Sequence, residues 1–334
     1  MKFFHALIGV ILMNAISLLG CSVFQTKQSN LPEGIELIPK TDGMQLGNPL
    51  WSPDGKLIVA GKTIYPNPDF CLFCQLPYSE IYLISSSTRE MTSFMHEENA
   101  ALSVRGWYPK TQKIIVSSYG TELGNGLFLV DVNDATSAAA PAYLDENDSI
   151  DWSRDGNKVV IFDRVLYIKR ELKILDLVTD EETLLYTITG TNDESIDVSE
   201  PSLSPDGKMV AFSYGKSDID YRSVDTEIYF LYIETKQLVQ FTHDSSHDND
   251  SPQFSPDGKM IAYQEYYQDK SEWRTVIVEL DSGCEWEIPL PNAYTSSWAP
   301  DSQKLVIGGD GIYIYIVDLY QLFGDEFGNS TTCP

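Results

Sequence analysis

Positive charge is scarce in this sequence. Against 49 acidic residues stand 23 lysines and arginines, a net charge of −26. A chain this acidic repels polyphosphates and anionic headgroups, which excludes nucleic acid as a partner. Histidine is scarcer still, at four residues, and cysteine contributes five. No Gly-x-Ser-x-Gly elbow is present, so the serine nucleophile of an α/β-hydrolase is excluded too. The acid is spread along the chain, which reads as a solvated surface rather than an interaction tail.

Long apolar runs number one, at the amino end. Residues 1–20 read as an export signal: Lys2, an apolar stretch from Phe3 to Leu19, then Leu18-Leu19-Gly20-Cys21. That ending resembles a bacterial lipobox, which makes Cys21 the expected lipidation site and residues 21–33 a tether. The competing reading is an uncleaved anchor, because the run is nearly long enough to span a bilayer. Asn14 and Ser17 weaken it. Either reading puts the folded part outside the cytoplasm; the lipoprotein reading, which is the expectation, makes it a cell-envelope protein, lipid-anchored outside the cytoplasm, periplasmic or at the cell surface.

What the sequence has in abundance is repetition. Leu203-Ser204-Pro205-Asp206-Gly207-Lys208-Met209-Val210-Ala211-Phe212 recurs as WSPDGKLIVA at Trp51, WYPKTQKIIV at Trp107, WSRDGNKVVI at Trp152, FSPDGKMIAY at Phe254 and WAPDSQKLVI at Trp298. Proline presets φ for a turn, aspartate caps backbone amides ahead of it, and glycine takes the positive φ that closes a hairpin. The aspartates are therefore expected to hold turns rather than do chemistry. Recurrence every 44 to 56 residues with strands on both sides marks a propeller or solenoid. Each unit predicts four strands, in the fourth Glu200–Ser204, Lys208–Ser213, Thr226–Ile233 and Gln237–Phe241. The outermost strands elsewhere are expected at Glu90–Phe94, Ala142–Leu144, Glu182–Tyr186 and Glu285–Ile288. The sixth unit has no outer strand of its own. A spare strand at Gly34–Ile38 is expected to complete it, giving an all-β, six-bladed β-propeller over 34–318 with a tail over 319–334.

The repeated W/F-S-P-D-G-K-x-[IV]-A-[FY] followed by E-[IV]-Y-x-[LIV] resembles the TolB-like six-bladed propeller, the Pro-Asp relative of the WD repeat. The second repeat departs most, with Lys110 and Thr111 for Asp and Gly, and in the third Arg154 replaces Pro. The resemblance implies an envelope protein partner. The family's amino-terminal α/β domain has no counterpart here, so the specific TolB role does not carry over.

Strand direction sorts the loops into two faces. The turns of the repeated frame are uniform in length, whereas the loops of the opposite face vary, so that variable face is the expected binding surface. Its loops carry His96, Glu97 and Glu98; Asp148; Asp193 and Glu194; and His243, Asp244, His247, Asp248 and Asp250, an acidic rim around the channel. No motif demands a cofactor. The rim would suit calcium or another divalent cation at the channel mouth, with His243, His247 and Asp248 as metal ligands, against the plainer reading of a solvated polar loop. With Cys21 lipidated, Cys71, Cys74, Cys284 and Cys333 remain as disulfide candidates with three possible pairings, of which 71–74 and 284–333 suit the topology most easily. A zinc site from Cys71, Cys74 and His96 would lack a fourth ligand. Two functions follow: a binding or scaffold module that captures an envelope protein, peptide or glycan, and a propeller lyase or glycoside hydrolase acting on extracellular polysaccharide. The first, without enzymatic activity, is the expectation.

Overall fold

The turn chemistry of the repeated frame holds in the computed structural model of the chain. It describes residues 31–39, 46–64, 78–98, 100–145, 149–166, 169–190, 194–198, 200–218, 226–243, 247–309, 313–324 and 327. At the first copy the Ser52 amide donates to the Leu57 carbonyl at 2.8 Å, and the Gly55 amide to the Ser52 carbonyl at 2.9 Å. The Ser52 hydroxyl donates to Asp54 Oδ1 at 2.8 Å and accepts from the Leu57 amide at 2.9 Å. Ser153 with Asp155, Ser204 with Asp206 and Ser255 with Asp257 repeat the pattern. The Ser153 hydroxyl and the Asn157 amide hold the Asp155 carboxyl below the usual carboxylate range. Among the glycines of the repeated turn the requirement is strictest at Gly156, where φ is +61° and a Cβ would lie 2.8 Å from Pro109 Cβ. In the second repeat Lys110 takes a left-handed φ of 57°, and the Thr111 hydroxyl closes the turn on the Tyr108 carbonyl at 2.8 Å.

Each hairpin opens a radial sheet. Blade 6 contains β1 (Ile35–Leu37), and blade 1 runs outward as β2 (Gly47–Trp51), β3 (Leu57–Ile64), β4 (Tyr78–Ser85) and β5 (Met91–Glu97). Blade 2 is β6 (Ala101–Tyr108), β7 (Lys113–Thr121), β8 (Gly124–Asp131) and β9 (Ser137–Ala139). Blade 3 is β10 (Ser149–Trp152), β11 (Lys158–Leu166), β12 (Lys169–Asp176) and β13 (Glu181–Thr189). In blade 4 the inner strand is split into β14 (Glu194–Val198) and β15 (Ser202–Leu203), followed by β16 (Met209–Asp218), β17 (Glu227–Tyr232) and β18 (Gln237–Gln240). Blade 5 is β19 (His247–Phe254), β20 (Met260–Tyr267), β21 (Glu272–Glu279) and β22 (Glu285–Glu287). Blade 6 is β23 (Ala293–Trp298), β24 (Lys304–Gly309) and β25 (Tyr313–Asp318), with β1 as its fourth strand. The register is Ile35 on Val317, Glu36 on Ile316 and Leu37 on Tyr315. The amino-terminal strand thus seals the ring as the sequence predicts.

The core lies between blades. Alternate residues of each second strand face opposite neighbours, and both faces are buried. Ile58 and Ala60 pack with Val306 and Ile316 of blade 6, whereas Val59 between them packs with Ile114 and Val116 of blade 2. Phe162 meets Phe212 edge-on at 5.2 Å between blades 3 and 4.

Four elements differ from expectation. The outer strand of blade 2 is β9, not Ala142–Leu144: Ala135 turns the chain at φ 57°, Asp134 accepts from the Thr136 amide, and pairing begins at once. Pro141, without an N–H, follows the last paired residues. Second, β16 runs to Asp218 because Tyr214–Asp218 pair with β14, part of which had the polarity of a loop. Third, His96 and Glu97 belong to β5, paired with Glu80 and Ser79, and His247–Asp250 open β19, paired with Tyr267–Gln264; neither set is loop. Fourth, the tail begins as a helix, α1 (Leu319–Phe323), which Asp318 caps by accepting from the Gln321 amide. Leu319 and Phe327 are buried in the core cluster of blades 5 and 6.

Candidate binding channel

The six inner strands leave one edge unpaired, and those edges surround a central cavity of about 310 Å³. The residue just before each aromatic or leucine anchor lines it in every blade: Leu50, Gly106, Asp151, Ser202, Gln253 and Ser297. Pro49, Pro201 and Pro252 stand at the same point of three inner strands, where no partner strand requires an N–H. The ladder slips beside two of them, between Gly47 and Leu50 and between Asp250 and Gln253, with Asn48 and Ser251 at φ 47° and 52°. Indoles tie blade to blade around the cavity: Trp107 Nε1 donates to the Leu50 carbonyl at 3.2 Å and Trp298 Nε1 to the Gln253 carbonyl at 3.1 Å.

The cavity has two mouths of different chemistry. Toward the variable-loop face lies a polar recess of about 200 Å³, lined by Asn48, Ser103, Arg105, Glu200, Gln253 and Ser296. Toward the turn face it opens into a bowl of about 580 Å³. Trp51, Trp152, Phe254 and Trp298 wall this bowl with Pro53, Pro205, Pro256 and Pro300, and Asp54, Lys110 and Arg154 bring charge to it.

Three carboxyl groups near the channel have raised pKa values. Partial desolvation at the channel wall raises Glu200, although its side chain stays open to solvent, with the Arg105 guanidinium opposing and Asp250 adding to the rise. Partial desolvation and then Asp250 raise Asp197, which is likewise exposed. Asp250 itself accepts from the Ser213 hydroxyl at 2.7 Å. Asp151, whose Oδ2 accepts from the Leu203 amide of blade 4 at 2.8 Å, is pushed up to about 6 by burial, against the pull of the Leu203 and Trp152 amides.

That shift makes a prediction. The folded chain holds the Asp151 proton more tightly than the unfolded chain, where the group titrates near its ordinary value of about 3.9. Stability from this site is therefore present at low pH and is lost as pH rises from about 4 to about 6. Asp151→Asn keeps an acceptor for the Leu203 amide and has no proton to lose. Thermal unfolding of both proteins from acid to neutral pH is expected to show the variant gaining on the wild type across that window, with a constant gap above it. Parallel curves would refute the assignment.

The residues that the sequence nominated for the rim fall in several places. His96 lies edge-on to Tyr78 at 4.7 Å, with Nε2 3.9 Å from Glu98 Oε1. Glu97 is its strand neighbour, and Glu194 opens β14. His243 is exposed. His247 sits 3.3 Å from Glu265 Oε1 with its ring 4.2 Å from Tyr267, and Asp248, next on the same strand, points to the opposite side. Asp148, Asp193 and Asp244 lie outside the described residues, as do Cys21, Cys71, Cys74 and Cys333. Cys284 is disulfide-bonded, so its partner also lies outside them. Among the described residues no three His, Cys, Asp or Glu side chains gather as a metal site. Sequence reasoning missed Arg105, Asp151 and Glu200. The available signal was a polar residue within three positions before an anchor, on an edge that a propeller must turn toward its axis.

No family model and no curated protein sequence matches the chain. Among solved structures it is similar to TolB from Acinetobacter baumannii, with a TM-score of 0.52 and 18% identity over 85% of this chain and 66% of that one. It is also similar to a chain in the crystal structure of the mitotic checkpoint complex, with a TM-score of 0.54 and 15% identity over 86% of this chain and 94% of that one. The chain thus spans just under two thirds of the TolB structure. At these identities the likeness is one of fold, the six-bladed propeller.

Proposed function

We propose that this protein is a lipid-anchored propeller of the cell envelope, a binding or scaffold module that captures an envelope protein, peptide or glycan at the variable-loop mouth of its channel. One observation carries the reading: the channel opens on that face through a recess lined by a cation, a carboxyl group and several neutral donors and acceptors. Arg105, Glu200, Asn48, Ser103, Gln253 and Ser296 together offer the few convergent polar groups that orient a ligand in a preformed cavity. The lipobox-like segment ending at Cys21 supports the anchor, and a disulfide at Cys284 suits an oxidising compartment. Closing the ring gives the last blade its fourth strand and holds the scaffold rigid, as capture requires.

A second reading has its own observation. Asp197 and Glu200 are both raised and both sense Asp250, the kind of arrangement that supplies a general acid beside a carboxylate. It would make the protein a lyase or glycoside hydrolase acting on extracellular polysaccharide.

Pull-down from detergent-solubilised envelopes separates the two. Full-length protein is expected to recover a partner, and Arg105→Glu, which sets a like charge against Glu200, is expected to reduce recovery about tenfold. Degradation of a polysaccharide panel by wild type but not by Glu200→Gln, with no partner recovered, would replace the binding reading with the enzymatic one.

A further inference from the structure

Two departures from the repeated turn, both to cations, converge on one place. Five repeats carry proline at the second turn position and the third carries Arg154; five carry aspartate at the next position and the second carries Lys110. Both substituted side chains line the bowl on the turn face, from neighbouring blades. Arg154 reaches from blade 3 past the turn of blade 4, and its Nη1 donates to the Pro256 carbonyl of blade 5 at 2.9 Å. Among the described residues neither cation has a carboxylate within ion-pair distance. Asp155 acts on Lys110 only through space. In a chain with two acids for every base, two such cations at one mouth are out of pattern. Asp54 in the same bowl is already engaged, with Lys56 Nζ at 3.4 Å and Gln112 Nε2 at 3.2 Å.

We propose that this bowl receives an apolar carboxylate: one carboxylate on a hydrophobic body, either the free end of a peptide or a small organic acid. The guanidinium fork of Arg154 matches a carboxylate in two parallel hydrogen bonds, with Lys110 as a second, point-like charge. The indoles of Trp51, Trp152 and Trp298 and the ring of Phe254 take the apolar body, in a volume within the range of small-ligand sites. The charge is single because Asp54 and Asp151 share the bowl and would repel a dianion. This site is on the opposite mouth from the loop-face recess and does not depend on what that recess binds.

The wall tryptophans report occupancy. Full-length protein in a neutral detergent is titrated with N-acetyl-phenylalanine, with its amide, and with the tripeptide Ala-Ala-Phe bearing a free carboxyl end, while indole fluorescence is followed. A saturable change is expected with both acids and at least about tenfold weaker binding of the amide. Arg154→Pro restores the residue that five repeats use, and Lys110→Asn suits a left-handed φ, so both variants are expected to fold. Each should weaken the acid about tenfold and leave the amide unchanged. Tighter binding of the tripeptide than of the single residue assigns the site to peptide ends, and equal binding assigns it to small acids. Equal binding of acid and amide, indifference to both substitutions in proteins that unfold like the wild type, or no saturable change with any probe overturns the proposal.

Discussion

Leu37→Asp is expected to open the ring at neutral pH. Leu37 is 2% exposed and packs in the core cluster that joins blades 5 and 6, beside Trp298, Tyr315 and Val317. Loss of the leucine side chain costs about 2–5 kcal/mol, and an unpaired carboxylate in its place adds several more. The sum is most of the roughly 5–15 kcal/mol by which domains are stable. The entire contribution of β1 is at stake, because three residues hold its register: Ile35 and Ile38 are buried on either side of Leu37, and the Ile38 amide donates to the Ile314 carbonyl at 2.9 Å. Just before them Gly34 accepts from the Asp318 amide at 2.7 Å, with a φ of +85° and no room for a Cβ, which would lie 2.6 Å from the Leu322 amide nitrogen. The strand is therefore clamped at its start and cannot slide to hide the aspartate. Leu37→Met keeps volume and is expected to cost less than about 1.5 kcal/mol. Urea unfolding followed by near-UV circular dichroism checks both. If the aspartate variant unfolds at the wild-type midpoint, β1 does not close the propeller.

The parts of the fold visible in the sequence are those set by local chemistry at fixed spacing. Ser52, Asp54 and Gly55 form their turn with partners no more than five residues away, so each copy that keeps these residues announces the same hairpin, and the fixed spacing carries the others. β1 was visible by subtraction, since five units had an outer strand and the sixth did not. Where the fold depends on what lies across the channel, the pattern misleads. His247-Asp248-Asn249-Asp250 has the composition of a loop, yet it is an inner strand whose unpaired edge faces a polar axis; burial of Asn249 alone betrays it. The shift of β9 turns on a left-handed Ala135, which no propensity favours. The bowl on the turn face was hidden for another reason. Uniform turn lengths argued for an inert surface, but side-chain identity, at Lys110 and Arg154, distinguishes one copy from another. Variation in loop length found the faces; variation in residue type found the charges.

Cys284 poses the second large test. It is 1% exposed, disulfide-bonded, and clustered with Trp286, Ile288 and Phe327. The Trp286 and Phe327 rings meet at 5.1 Å, which brings the chain six residues before Cys333 to the blade that Cys284 serves. Cys333 is therefore the partner to expect. A bond between them would close a loop of roughly fifty residues that holds all of blade 6 except β1, and in the chain-entropy account such a closure is worth about 4 kcal/mol. Cys284→Ala is expected to lower stability by about that amount, and reduction of the wild type should reproduce most of the loss. The comparison matters because the substitution also removes buried sulfur, whereas reduction removes only the link. Peptide mapping without reductant should yield a 284–333 cross-link; a link from Cys284 to Cys71 or Cys74 would refute the pairing. The consequence reaches beyond the bond. The last blade is fastened twice, by β1 at its outer edge and by the tail behind blade 5, so weakening one fastening puts more of the load on the other. Reduction should therefore sensitise the protein to Leu37→Met, and in a reducing compartment the propeller would keep only its strand closure.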